Sequence, residues 1–502
     1  MPALRDGFGG CFMKVLRAAV CVLCAALLLG GCEPAGFGET APVRSEQAFT
    51  TAAGAVTRTE SEASGRAGQL LLRTYEDTVG CTVEMGRVLP RKATRRAQTA
   101  ASYPLAGQNG VVRSYSAETG TWSIEALTDG MTLGKGMYFV RTDAAECIIV
   151  TPMTYMPREN SSIEYLPAAD GGLSVRETEE GYALTLTVAP LPEGCFSDFL
   201  VLRSDAPLID WTADRSFVRW SNYRFTDANR WCYDGYYYTS PENYYPTGEN
   251  YFYAQPSPYI ANKMMRNPDD PASRALGLAM LDITREKQNE YGFIPTLAGS
   301  EWLEQDYQIA AGFYDTRFNT DFWLANLYAA ENFGVEGWLD RVLRYADFLM
   351  DFVTNNHYTF GAGAHEGWLA ADYWSPNGAG GLTHSSLNHH AVEAVFLYQL
   401  AEATGEERYA AFADRMVRGI EAVGADWIME NGNLYYAYMP DGTMREGDYP
   451  YLTYNDLLDL QTLYTRRHGA ENEVLARLMA SKLAWIEANG VTGYNEAPFL
   501  LK

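Results

Sequence analysis

A helix that ends on glycine, is followed within two positions by an acidic residue and then by a second helix, occurs three times in the C-terminal half of this chain. No other feature constrains the fold as much. The copies are "NTDFWLANLYAAENFG" with "VEGWLDRVLRYADFLMDFV", "HSSLNHHAVEAVFLYQLAEATG" with "EERYAAFADRMVRGIEAV", and "YNDLLDLQTLYTRRHG" with "AENEVLARLMASKLAWI". Gly334, Gly405 and Gly469 stand where a helix C-terminus turns through the left-handed region, and the acid after each favours the positive end of the next helix dipole. Each hairpin has an apolar face that it cannot bury alone, so the hairpins must stack. The long loops all fall before the first helix of a pair, on one rim, which predicts a closed (α/α) toroid over an open solenoid. The segment "PASRALGLAMLDITREKQNEYG" predicts a further helix where this domain, 271–502, begins.

Upstream the period changes from that of helices to two. Segments such as "GMYFVRT", "ECIIVTP", "YALTLTVA" and "DFLVLRS", separated by Gly, Asp and Pro turns, predict an antiparallel β-sandwich over 69–222. The chain is therefore expected to be multidomain α+β, a sandwich followed by a toroid, and its 502 residues exceed what one core usually supports. Residues 33–68, rich in Ala, Gly, Ser, Thr and Glu, predict a disordered tether. Lys14 and Arg17 precede an apolar run, Ala18 to Leu29, that closes on Leu29-Gly30-Gly31-Cys32. That ending resembles a bacterial lipobox. It implies a signal peptide over 1–32, acylation of Cys32 as a lipid anchor, and a place in the cell envelope facing outside the cytoplasm.

The balance of 39 basic against 63 acidic residues gives a net charge of −24, which argues against nucleic acid as a partner and leaves the lipid anchor as the route to a membrane. Cys81, Cys147, Cys195 and Cys232 are far apart, and "HSSLNHH" lacks the i, i+4 histidine pair with a following carboxylate, so neither metal nor cofactor is expected. The interdomain segment 223–270 contains "YDGYYYTSPENYYPTGENYFY", with eight tyrosines. Together with Trp231, Trp302, Trp368 and Trp374 it reads either as the wall of a carbohydrate cleft or as an interdomain packing strip. The first helix of each hairpin opens on polar residues: Arg317, Asn319 and Asp321, then His384, Asn388 and His389, then Asn455 and Asp456. Helix N-termini that converge in a ring suit an anionic or hydroxyl-rich ligand, although Asp321 and Asn455 also read as ordinary caps.

Over roughly 290–470 the sequence resembles the C-terminal domain of D-glucuronyl C5-epimerases. The stretches that carry it are "GFYDTRFNTD", "ADYWSPNGAGGLTHSSLNHHAVEAVFLYQL", and "NGNLYYAYMPDG" with "DYPYLTYND". The resemblance implies inversion of a uronic acid within a polysaccharide, by removal of the C5 proton and its return on the other face. It places Tyr435, with its neighbour Tyr436, and Tyr451 as the proton-transferring phenols and Tyr373 with Asp372 as a carboxylate–tyrosine pair. Tyr314, Arg317, Asn319, Asp321, His384, Asn388, His389 and Tyr436 complete the expected substrate-binding set. A phenol is a poor base at neutral pH unless a cation favours its phenolate. The family's D-L-R-H, glutamate and W-D-Y-H are replaced here by "YAYM", Asp372 and "YPYL", which removes arginine and histidine contacts to a glucuronate. A polysaccharide lyase, a glycoside hydrolase drawing on Glu301, Glu304, Asp306 or Asp372, and a glycan-binding lipoprotein without catalysis are the alternatives.

Overall fold

The structure, a computed structural model, describes residues 43–65, 68–266, 270–377 and 381–498. The expected signal peptide, Cys32 and the first part of the tether lie outside the described residues. The described chain is α+β, with most strands before Ala254 and the long helices after it. Ser45–Thr51, Gly54–Ser64, Gly68–Asp77 and Cys81–Pro90 form an antiparallel meander. The same sheet continues through Phe196–Ser204, Glu146–Pro157, Ser162–Tyr165 and Tyr251–Ala254 to Gly235–Thr239 and Asn229–Cys232. Gln98–Ala106, Gly181–Val188, Gly172–Thr178 and Thr132–Leu133 make a second sheet. Alternation in "YALTLTV" turns Leu184, Leu186 and Val188 inward, where they join Val88, Ile149 and Val201 of the large sheet in one apolar cluster. The opposite face of the large sheet, with Tyr75, Met85 and Leu200, shares its core with Leu276, Met280 and Ile283 of the Pro271–Arg285 helix. The large sheet is thus a middle layer covered on both sides. That explains why the strand Glu146–Pro157 is buried over ten consecutive residues instead of alternating.

Two boundaries read from composition are corrected. The expected tether contains the strands Ser45–Thr51 and Gly54–Ser64, held to the helices by Ala52 N–H donating to Phe333 O (2.8 Å), Glu336 N–H donating to Thr50 O (3.0 Å) and a buried Arg58–Asp282 pair (3.2 Å). "TRTESEAS" misleads because its side chains are small or charged, while its stability comes from ladder hydrogen bonds and ion pairs. The tyrosine-rich segment is no separate linker either. It supplies three strands to the large sheet and then the Tyr259–Met265 helix, and Tyr236, Tyr237 and Tyr253 are buried in shared cores. It serves mainly as the packing strip.

The helices follow the repeat. Thr316–Phe333 with Trp338–Asn355, Leu387–Thr404 with Glu407–Val423, and Leu452–His468 with Glu473–Ala488 are the three hairpins, and Tyr259–Met265 with Pro271–Arg285 adds a fourth. Gly334, Gly405 and Gly469 terminate their helices at φ of 59°, 71° and 74°, the left-handed C-cap that the sequence requires. The first helices of the pairs pack side by side, and the first and last approach through Arg266 and Asp459 at 3.9 Å. Leu387–Thr404 is buried continuously from Leu387 to Leu400, polar residues included, as befits a helix surrounded by others. Outside it, Gly419 meets the Gly367–Ala370 strand so closely that a Cβ would stand 2.1 Å from Trp368 O. Gly419→Ala is therefore expected to cost about 2–3 kcal/mol, seen as a lower urea midpoint at unchanged slope.

Candidate active site

The three inner-helix starts meet at one guanidinium. Arg317, one residue into its helix, donates from Nε to Asp321 Oδ2 (2.9 Å), from Nη1 and Nη2 to Asp456 (2.6 and 3.1 Å), and from Nη1 to Asn388 O (3.2 Å). All four donations end on protein, so Arg317 is a tie between Thr316–Phe333, Leu387–Thr404 and Leu452–His468. Arg317 and Asp321, both expected in the substrate-binding set, are here bonded to each other, and Arg317 to Asp456. Asn319 is likewise spent: fully buried, it accepts from Ile294 N–H (2.7 Å) and donates to Ile294 O and Asp315 O (3.0 Å each).

Beside this tie lies a cluster of acids, imidazoles and rings. Asp372 accepts from Ser386 N–H (2.9 Å) and from the Ser386 hydroxyl, its Oδ2 is 3.3 Å from His384 Nε2, and it is 1% exposed. Tyr307 Oη stands 3.1 Å from His384 Nδ1, so the imidazole is held between a phenol and a carboxylate. Trp302, Tyr373 and Tyr436 surround the His384 ring at centroid distances of 5.4, 5.7 and 5.9 Å. His389 contacts Thr316 Oγ1 at 2.9 Å and lies 3.7 Å from Asp372 Oδ2. Burial works against the charge on Asp372, yet the attraction of the His389 and His384 imidazoles in their protonated forms, with hydrogen bonds from His384 and the Ser386 hydroxyl, holds the carboxyl below its ordinary value. Burial brings His389 down to about 4, which leaves it neutral.

Asp315 behaves in the opposite way. It opens the Thr316–Phe333 helix, accepts from Phe318 N–H (2.8 Å), and is register partner to Tyr373. Burial, with the negative charges of Asp372 and Asp321 added, pushes its carboxyl up to about 8 against the Phe318 hydrogen bond and Arg317. This favours its protonated form. Tyr244, Tyr373 and Tyr436 feel this carboxyl, and burial raises each of these phenols, so they are hydrogen-bond donors and not bases. Ser385 Oγ and Asn388 Oδ1, beside the start of Leu387–Thr404, are buried with no protein partner.

The expected residues thus divide. Asp372, Tyr373, His384, His389 and Tyr436 are brought together, while Asn388 is met by Arg317 at its backbone carbonyl. Tyr435 is not among them, because alternation along Tyr435–Tyr438 puts Tyr436 against His384 and Tyr435 on the other face. Tyr451 sits 37% exposed before Leu452–His468, its ring packed against Gly493, and Tyr449 takes the place facing Tyr436 at 5.7 Å. Tyr314 is core, fully buried with its hydroxyl 3.0 Å from that of Tyr345. Of the four tryptophans only Trp302 reaches the cluster; Trp231 is core, Trp368 stacks on His357, and Trp374 packs on Phe293 and Phe348. Sequence reasoning missed Asp315, Tyr307 and Tyr449. Asp315 precedes a helix and reads as a plain cap, and only its burial among residues distant in sequence alters its chemistry. Among the described residues no group of three or more metal-ligating side chains occurs, and no helix is long and apolar enough to cross a membrane.

No family model matches this chain, and no curated protein matches it. Among solved structures it is similar to a family 76 glycoside hydrolase from a bovine Bacteroides thetaiotaomicron strain, at TM-score 0.37 and 11% identity over 83% of this chain and 77% of that one. It is also similar to D-mannose isomerase (TM-score 0.35, 13% identity, 46% of this chain, 59% of the other). A third is the unsaturated glucuronyl hydrolase of Bacillus sp. GL1 (TM-score 0.31, 14% identity, 45% and 58%). The match to the isomerase spans about three fifths of that protein's length. Those three proteins process carbohydrates, and likeness of this degree assigns neither a family nor an activity to this chain.

Proposed function

We propose that the cleft cleaves a glycosidic bond by acid–base catalysis, in a saccharide whose reacting unit bears no carboxylate. Asp315 is the general acid and Asp372, with His384, forms the basic side. What supports this is the placing of two buried carboxyl groups in one cluster, Asp372 against Ser386 and His384 and Asp315 on the strand partnered with Tyr373, with their surroundings pushing Asp315 up and Asp372 down. Trp302, Tyr373, Tyr436 and Tyr449 supply faces on which a sugar ring stacks and hydroxyls that bond it. The hairpins are proposed to close into the toroid whose mouth is this cleft. The lipobox-like ending at Cys32 favours an exported protein anchored to the bacterial envelope, where polysaccharide is the accessible substrate.

Epimerisation of a uronate is the second reading, favoured by the Tyr307–His384 contact, which suits proton transfer at carbon. Against it stand the neutral phenols and the commitment of Arg317, since a carbanion beside a carboxylate needs a cation to neutralise that carboxylate. One experiment separates the two. The full chain is incubated in D₂O with neutral and with uronic oligosaccharides. New reducing ends from a neutral substrate, without deuterium on any ring carbon, are the expected result; deuterium at C5 of a uronate would replace hydrolysis by epimerisation. New ultraviolet absorbance would mark a lyase, and retention of glycans without any product would mark a binding protein.

A further inference from the structure

A cavity lies in the N-terminal part of the chain, built from residues that the candidate active site does not use. The hairpin Val111–Ser116 and Thr121–Ala126 pairs with Met137–Arg141 only as far as Ser114 opposite Tyr138, after which the strands diverge. The gap, about 300 Å³, is closed on its far side by Trp220 and by Arg224, Thr226 and Asp227. That volume falls at the lower end of small-molecule sites, on the order of 300–1,000 Å³, and suits a single sugar unit better than a longer chain.

Its lining is of two kinds. Ser114, Ser116, Thr121 and Ser123 offer a row of hydroxyls, and the Ser114 and Ser123 hydroxyls already bond each other at 2.8 Å. Each such group both donates and accepts, which matches the hydroxyls of a sugar ring. Two cations accompany them. Arg224 lies over the Tyr115 ring at 5.3 Å and pairs with Asp227 at 3.2 Å, whereas the Lys135 ammonium stands 4.8 Å over the Tyr165 ring. The charged groups facing Lys135 are Arg230, Asp170 and Asp227. Burial and Arg230 lower its ammonium, while Asp170 and Asp227 act the other way. On the cavity lining itself Lys135 and Arg224 stand against the single carboxylate of Asp227, an excess of one positive charge.

We propose that this cavity is a second saccharide site that holds one acidic sugar unit, with ring hydroxyls on the serine and threonine row and the anionic group on Lys135. A carboxylate and a sulfate ester share that chemistry. The site would hold an acidic polymer while the cleft acts on a neutral linkage of the same material.

Isothermal titration of the full chain with a uronic, a sulfated and a neutral disaccharide tests it. The acidic ligands, one or both, are expected to bind about tenfold more tightly than the neutral one, and which of the two binds identifies the anion. Lys135→Gln should remove that tenfold preference without changing turnover in the cleft. Ser123→Phe, at an exposed strand position, should fill the cavity and abolish binding. Asp315→Asn should leave this binding intact, which separates the second site from the cleft. Equal affinity for acidic and neutral ligands, binding unmoved by both Lys135→Gln and Ser123→Phe, or no binding by any of the three overturns the proposal.

Discussion

Replacing Asp315 by asparagine is expected to lower turnover by about two to four orders of magnitude, the contribution of a positioned general acid, while the fold persists. Asparagine still accepts the Phe318 N–H and still caps Thr316–Phe333, so the change removes a proton and little else. The pH dependence gives a second signature. The acid works only while protonated, so activity should fall as pH rises through about 8. The stability sign follows from the same shift. A carboxyl whose folded pKa is raised above its unfolded value contributes stability that is full below the unfolded pKa, near 4, and is lost as pH rises through the folded one. Between those limits the melting temperature of the native protein should decline with pH more steeply than that of Asp315→Asn. A variant with activity within twofold of the parent, and with the same upper limb in its pH profile, would remove Asp315 from the chemistry.

The largest loss of stability is expected at Arg317. Arg317→Met leaves Asp321 and Asp456 buried and uncompensated where three helix starts meet, a change of about 3–5 kcal/mol. The triple change Arg317→Met, Asp321→Asn, Asp456→Asn should recover most of it, because no buried charge then lacks a partner. Chemical denaturation of the single and triple variants reads both numbers. If Arg317 instead bound a substrate carboxylate, Arg317→Met would raise KM for a uronic substrate and leave the denaturation midpoint almost unmoved, which is opposite to the result expected here.

Arg317 and Asp315 also show how far the residues could be read without a fold. Both stand in "YDTRFNTD", and an arginine at a helix start with no capping function reads as a ligand, whereas the aspartate before it reads as a cap. In the structure Asp315 does cap the helix, but its burial also alters its chemistry, and Arg317 is bound to protein instead of being free for a ligand. Arg317 finds Asp456, 139 residues away, and is consumed by it; Asp315 finds Tyr373 and Asp372 across a two-residue ladder, and its protonated form is favoured. The resemblance points to Tyr435, and Tyr436 faces His384 instead, for a related reason. Which of two adjacent strand residues faces a site depends on register, and register here is set by the pairing of Ser386 with Ala437. The strands at Ser45–Thr51 and Gly54–Ser64 were missed because their partners, not their own apolar content, make them strands.

The sequence by itself determined the local geometry: hairpins that turn on Gly334, Gly405 and Gly469, and strands whose alternation turns Leu184 and Leu186 inward. These follow from periods of 3.6 and 2 and from backbone angles open to glycine, all of which act within a few residues. Only the tertiary structure decided which polar side chains at the helix starts are consumed by one another and which remain open to a ligand. Protonation was decided there too, because the charge of a buried carboxyl depends on desolvation and on neighbours that are distant in sequence.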